Sequence, residues 1–177
     1  MAKISNIAHT TNITFEFDFV HTENFDYVKE RENHLNWVPF VLLLRIGDQE
    51  EYGYLKESKA CLNLYEIQQF FDGINILLSK INKRCNHYTS LNDFEKYSFY
   101  ALECYFNFSI TDAGDNMMIF EIWLNMGEMT GGKITGYEKG IRFNVKRNDL
   151  ENFLFELKSQ LQSLLDDNPC RNIKIVT

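Results

Sequence analysis

The sequence predicts a single α+β domain: an antiparallel sheet of about six strands with two amphipathic helices on one face. Three observations predict it. Residues 100–126 alternate apolar and polar side chains in two runs joined by an Asp/Gly/Asn-rich link, as an antiparallel hairpin does. Two long segments repeat apolar residues at three and four positions. With 9 Gly and 2 Pro in 177 residues there is no low-complexity linker, so the domain takes in residues 1–177, with 1–36 as an extension.

In chain order, Ile13, Phe15, Phe17 and Phe19 alternate with Thr14, Glu16 and Asp18, which predicts a half-buried strand over 13–20. Residues 21–36 are polar without firm period and read as a loop with room for a short helical turn. Trp37 to Ile46 is apolar on both faces, as a central strand is, with Pro39 near its start. The chain turns at 47–51, and Tyr52, Tyr54 and Leu55 predict a short returning strand. Leu64, Ile67, Phe71, Ile74, Leu78 and Ile81 form one helical stripe, with Asn63 and Glu66 spaced as a capping box.

The segment from Asn82 to Glu95 reads as a polar connection. In the hairpin, Tyr100, Leu102, Cys104, Phe106, Phe108 and Ile110 form the apolar face of one strand. Residues 111–116 turn, and Met118, Phe120, Ile122, Leu124 and Met126 form the apolar face of the other. Ile141, Phe143 and Val145 predict a third antiparallel strand. Leu150, Phe153, Leu154, Leu157, Leu161 and Leu164 give the second helix, with Asn148 and Glu151 repeating the cap spacing, and Ile173–Val176 adds an edge strand.

Composition narrows the function classes. The formal net charge is −7, which opposes a nucleic-acid or anionic-membrane partner and suits either a basic protein partner or solubility alone. The N-terminus has no apolar signal core and no run approaches the ~20 apolar residues of a membrane span. The reading is therefore a cytoplasmic protein with reduced thiols. Cys61, Cys85, Cys104 and Cys170 form no CxxC pair, and Cys104 reads as a small hydrophobe on a strand's apolar face.

Each motif that suggests chemistry has a competing structural explanation. Gly127 to Lys133 matches the GxxxxGK spacing of a phosphate loop, but Ile134 stands where a Ser or Thr would hold Mg²⁺, and strand rather than helix follows. Cys85 and His87 have no second pair to complete a tetrahedral metal set. Glu103 and Glu121, read onto the polar faces of adjacent strands near Tyr105 and Trp123, form a carboxylate pair of the glycosidase kind or a solvated or partner-binding face. The sequence thus predicts no enzyme, no metal and no cofactor. Two acidic, aromatic segments remain: Asp48, Glu50, Glu51, Tyr52, Tyr54 and Glu57, and Glu23, Asp26 and Tyr27. Aromatics anchor interfaces and carboxylates steer basic partners, although either segment also reads as a charged loop that contacts nothing.

The order of elements resembles the WapI-type immunity proteins of bacterial polymorphic toxin systems. The resemblance rests on the strand Val38–Ile46, the segment Tyr52–Leu55, the helix Leu64–Leu78, Leu102-Glu103 opening the hairpin Tyr105–Leu124, and Ile141-Arg142-Phe143 leading into the helix Leu150–Leu164. It implies a small non-catalytic inhibitor that binds the C-terminal domain of a cognate toxin, often a basic nuclease. Contact is expected at Asp48, Glu50, Glu51, Tyr52 and Tyr54, with Glu103, Glu121 and Trp123 as a second face. The alternatives are a general interaction or regulatory module and a small-molecule-binding protein.

Overall fold

The computed structural model describes residues 1–7, 11–48, 50–83, 94–130, 132–133 and 136–167. The α+β class and antiparallel pairing hold, but among the described residues nine strands form two sheets instead of about six forming one. Sheet I runs β1 (Ala2–Ser5), β2 (Ile13–Phe19), β3 (Trp37–Ile46) and β4 (Glu50–Tyr54), with β5 (Cys61–Asn63) pairing the start of β3. Sheet II runs β6 (Lys96–Tyr100), β7 (Phe106–Gly114), β8 (Met117–Asn125) and β9 (Glu138–Lys146). The helices are α1 (Leu64–Lys83), a single turn α2 (Met126–Met129) and α3 (Arg147–Asp166).

Sheet I exists because β2 and β3 each bury one complete face. Phe15, Phe17 and Phe19 lie beside Leu44, Leu42 and Phe40 in register, and all six are buried. Sheet II turns Phe106, Phe108 and Ile110 of β7 and Met118, Phe120, Ile122 and Leu124 of β8 inward. Rings join the sheets: Phe15 lies 5.3 Å from Phe120, Phe17 6.0 Å from Phe106, and Phe40 5.6 Å from Phe106. Both long helices feed the same core, Phe70 of α1 against Phe108 at 5.1 Å and Phe153 of α3 against Phe15 at 5.8 Å.

The capping box of α1 forms as its spacing predicts. Glu66 N–H donates to Asn63 Oδ1 (2.9 Å), and Asn63 N–H donates to Glu66 Oε2 (3.1 Å). Gly73, mid-helix, admits the Tyr97 ring, which a Cβ there would meet at 2.0 Å. The second helix differs. It begins at Arg147 with Lys146 as its N-cap and no side-chain capping bond, so Asn148 lies inside the first turn.

The largest departure is in the hairpin. Residues 100–110 are not one strand: β6 ends at Tyr100 and β7 starts at Phe106. A tight turn lies between them, with Ala101 N–H donating to Phe106 C=O (3.1 Å), Cys104 N–H to Ala101 C=O (2.9 Å), and Cys104 at φ 55°. The turn inverts which residues point inward. Phe99 and Ala101 are buried, while Tyr100 and Leu102 are 71% and 66% exposed and Cys104 is exposed rather than a core hydrophobe. The β7–β8 connection is also shorter than 111–116. It narrows to Asp115 and Asn116, both left-handed as a two-residue hairpin requires, with Asp112 buried and a register shift beside it. Met126 leaves the strand to open α2. The edge strand expected at 173–176 lies outside the described residues.

Loop 21–36 contains one 3-10 turn, Asn33–Leu35. Buried Asn36 organises it, accepting from Val28 N–H and Arg31 Nε, both at 2.8 Å, while Arg31 pairs with Asp26 at 2.8 Å.

Tyr54 is the principal polar link between the sheets: from β4 its hydroxyl lies 2.7 Å from Tyr105 C=O and 2.9 Å from Asn125 C=O. Burial pushes its phenol well above the usual tyrosine range, so the proton stays available for donation. Tyr54→Phe removes that single O–H donor from between the two part-buried carbonyls, while Tyr105 C=O keeps its bond from Asn125 N–H. Urea unfolding should register a loss of about 1–3 kcal/mol with an unchanged m-value.

Candidate functional site: the outer faces of the two sheets

The β3–β4 turn presents Asp48, Glu50 and Glu51 to solvent, but the last two are already engaged. Arg45 of β3 holds Glu51 at 2.6 Å and also reaches Glu16 of β2 at 2.6 Å. Glu16 in turn lies 3.9 Å from Lys3 of β1, so one charge ladder crosses all four strands. Glu50 accepts from the Tyr52 hydroxyl (2.5 Å) and from Lys139 Nζ (3.2 Å), and Lys139 also donates to the Tyr52 oxygen. The Tyr52 hydroxyl, then Lys139, hold the Glu50 carboxyl below its usual range. Because Lys139 belongs to β9, this cluster ties the edge of sheet I to sheet II. Asp48 has no ion-pair partner among the described residues. Tyr54, expected at the surface, is buried and occupied in joining the sheets.

The second expected face lies on the outside of sheet II, and its membership changes. Glu103 is not on a strand opposite Glu121: it sits in the 101–105 turn, and Ser109 is the residue beside Glu121 on β7. The paired-carboxylate arrangement therefore does not form. Glu121 instead accepts from the Trp123 indole Nε1 (2.9 Å) and from Arg142 Nη2 (2.9 Å) of β9. The indole bond, then Arg142, lowers the Glu121 pKa. Trp123 is opposite Gly140, whose missing side chain makes room for it, since a Cβ there would lie 2.5 Å from the indole.

Reading register across sheet II gives a row that local sequence does not display: Tyr100, Asn107, Trp123 and Gly140 on four adjacent strands. Tyr100 and Trp123 are both exposed, with the short Asn107 between them. Glu138, two residues before Gly140, shares this face. Glu103 and Glu128 lie at the same end of the sheet, and both carboxylates help raise the Tyr105 pKa behind the larger effect of burial.

The GxxxxGK-like segment is unlike a phosphate loop. The helical turn α2 covers its first residues, capped by Asn125, and β9 follows it, so no described helix starts at Lys133. Among the described residues no group of three His, Cys, Asp or Glu side chains could hold a metal; Cys85 and His87 lie outside them. Burial pushes the Cys61 thiol up to about 11, which keeps it protonated. A cleft of about 490 Å³ beside β9, lined chiefly by Ile7, Ile13, Met117, Arg142 and Phe143, offers one charged side chain. No described helix is long and apolar enough to cross a membrane.

A family model for immunity proteins of the WapI-like kind matches residues 6–165. The chain belongs to the WapI-like immunity protein family. The matched span takes in both sheets from β2 onward and nearly all of α3, so in this WapI-like protein every residue of the Tyr100–Trp123 row is part of the family's domain. No curated protein matches the chain.

The Glu121 pair predicts an acid-side spectroscopic transition. Its folded pKa is lowered, so the stabilisation is fully present above the unfolded carboxylate's pKa and is lost as pH falls through the lower folded value. Trp123 emission should hold steady near neutral pH and change below the ordinary carboxylate range. In Glu121→Gln that acid-side change should be absent from the difference titration.

Gly140→Ala tests the packing beneath the indole. Its Cβ would meet Ile122 C=O at 2.4 Å as well as the indole, so the strand or the ring must shift. The expected result is a loss of about 1–3 kcal/mol in thermal or urea unfolding, with altered Trp emission.

Proposed function

We propose that this chain neutralises a cognate toxin by binding the toxin's protein domain and covering its working surface. The observation that carries this reading is the WapI-like immunity family match over residues 6–165. The protein acts as a stoichiometric inhibitor in the cytoplasm of a bacterium that carries a polymorphic toxin system, and it uses no catalytic residue, metal or cofactor. The net charge of −7 supports a basic target of the nuclease kind, because a surface built for phosphates is cationic. Contact falls on Asp48, Glu50, Glu51 and Tyr52 at the β3–β4 end and on Glu103, Glu121 and Trp123 across sheet II, with Tyr54 acting from within. Charge-steered encounter then speeds association.

The deciding experiment is co-expression with the polypeptide encoded immediately upstream, scoring survival and co-purification. The expected outcome is survival that depends on this chain, with a stable complex. A harmless neighbour that forms no complex would replace toxin neutralisation with a general interaction module. Within the complex, the association rate should fall as salt rises, and Asp48→Lys should slow association most at low ionic strength. Asp48 is the informative position because reversing Glu50 or Glu51 would also break the Lys139 or Arg45 pair.

A further inference from the structure

We propose that the outer face of sheet II is the principal docking surface, and that it seats a Lys or Arg of a basic protein partner between Tyr100 and Trp123. The proposal rests on the toxin-neutralising reading and names the place and chemistry of its contact.

Three observations lead to it. First, Tyr100 and Trp123 stand on strands two apart, about 10 Å from each other, with Asn107 as a short polar floor between them. Both are exposed, although aromatic side chains are normally drawn into a core. Second, Trp123 is held in place, its indole N–H bound to Glu121 and its ring accommodated by Gly140. A fixed ring loses little freedom on binding, and indole is the best aromatic partner for a cation.

Third, the Tyr105–Asn125 end of this face is acidic. Glu103, Glu128 and Glu138, at the Tyr105–Asn125 end of the sheet, have no ion-pair partner among the described residues. Arg142 is held by Glu121 and Lys139 by Glu50, and Lys96 lies at the far end of β6 from Tyr100, where its charge acts on Glu121. The β3–β4 turn is the weaker candidate for the same role, since Arg45 and Lys139 already neutralise two of its three carboxylates. An aromatic slot with a carboxylate rim fits an alkyl-stemmed cation and disfavours an acidic or nucleic-acid partner.

The test measures Kd for the upstream-encoded polypeptide with the full chain and four variants, each first checked for its thermal transition. Tyr100→Ala and Trp123→Ala should each weaken binding at least about tenfold. Tyr100 is 71% exposed, so its removal leaves the core intact even if Trp123→Ala lowers stability. The triple variant Glu103→Gln, Glu128→Gln, Glu138→Gln should weaken binding and flatten its salt dependence. Phe155→Ala removes an equally exposed ring on α3 and should leave Kd unchanged. If the wild type binds and protects while both aromatic variants bind equally well, the docking surface is overturned and neutralisation stands. If the wild type neither binds nor protects, both fall. If the chain alone sediments as a dimer that Trp123→Ala dissolves, the occupant is a second copy and the basic-partner proposal is overturned.

Discussion

Two sheets that share no strand pairing among the described residues must be joined by something other than a backbone ladder. Here the joint is a seam of buried rings, Phe15, Phe17 and Phe40 from one sheet against Phe106 and Phe120 from the other. Ring packing excludes water and favours particular approaches, but it is tolerant of sliding. The Tyr54 hydroxyl, set between the carbonyls of Tyr105 in the 101–105 turn and Asn125 at the end of β8, supplies the directional constraint that rings lack. The Glu50–Tyr52–Lys139 cluster adds a second, solvent-side connection along the same edge. β4 is therefore a fastening strand, and its acidic and aromatic side chains serve the fold before they can serve a partner.

Much of this was legible because it is periodic. The two helices appeared through three-and-four spacing, and β2, β3 and the β7–β8 hairpin through alternation or continuous apolar character. The capping box on α1 was legible because two side chains three residues apart can satisfy each other's backbone. The same spacing misled at Asn148 and Glu151, because the N-cap is Lys146, two residues earlier. Alternation says which face a residue takes but not which strands pair, so one sheet and two sheets write the same local pattern. Short strands such as Ala2–Ser5 and Cys61–Asn63 give too few alternations to stand out.

The 101–105 turn was hidden for a different reason. It contains no Gly, Pro, Asn or Asp, and its left-handed residue is Cys104. By coincidence the apolar alternation of the sequence runs straight through it, from Tyr100 and Leu102 to Phe106 and Phe108. In the structure the inward set changes from Phe99 and Ala101 to Phe106 and Phe108, a change of parity that the four intervening residues, Leu102 to Tyr105, accomplish. Three side chains that alternation assigned to the core, Tyr100, Leu102 and Cys104, thereby became surface. The available signal was Phe99 and Ala101, which compete with Tyr100 and Leu102 for the inward position and are the more compact pair.

That parity change also builds the surface on which the functional reading turns. With Phe99 inward, Tyr100 must point outward, and antiparallel register then aligns it with Asn107 and Trp123. The turn is in turn pinned from α1. Glu66, whose side chain already accepts from Asn63 N–H in the capping box, accepts a second backbone bond from Leu102 N–H at 2.7 Å and is itself buried. Both oxygens of this buried side chain therefore find backbone N–H partners, one in the helix start and one in the turn. The helix start, the turn and the exposed aromatic row are thus one connected arrangement. Loss of the Glu66 carboxylate would uncap the helix and release the segment that orients Tyr100.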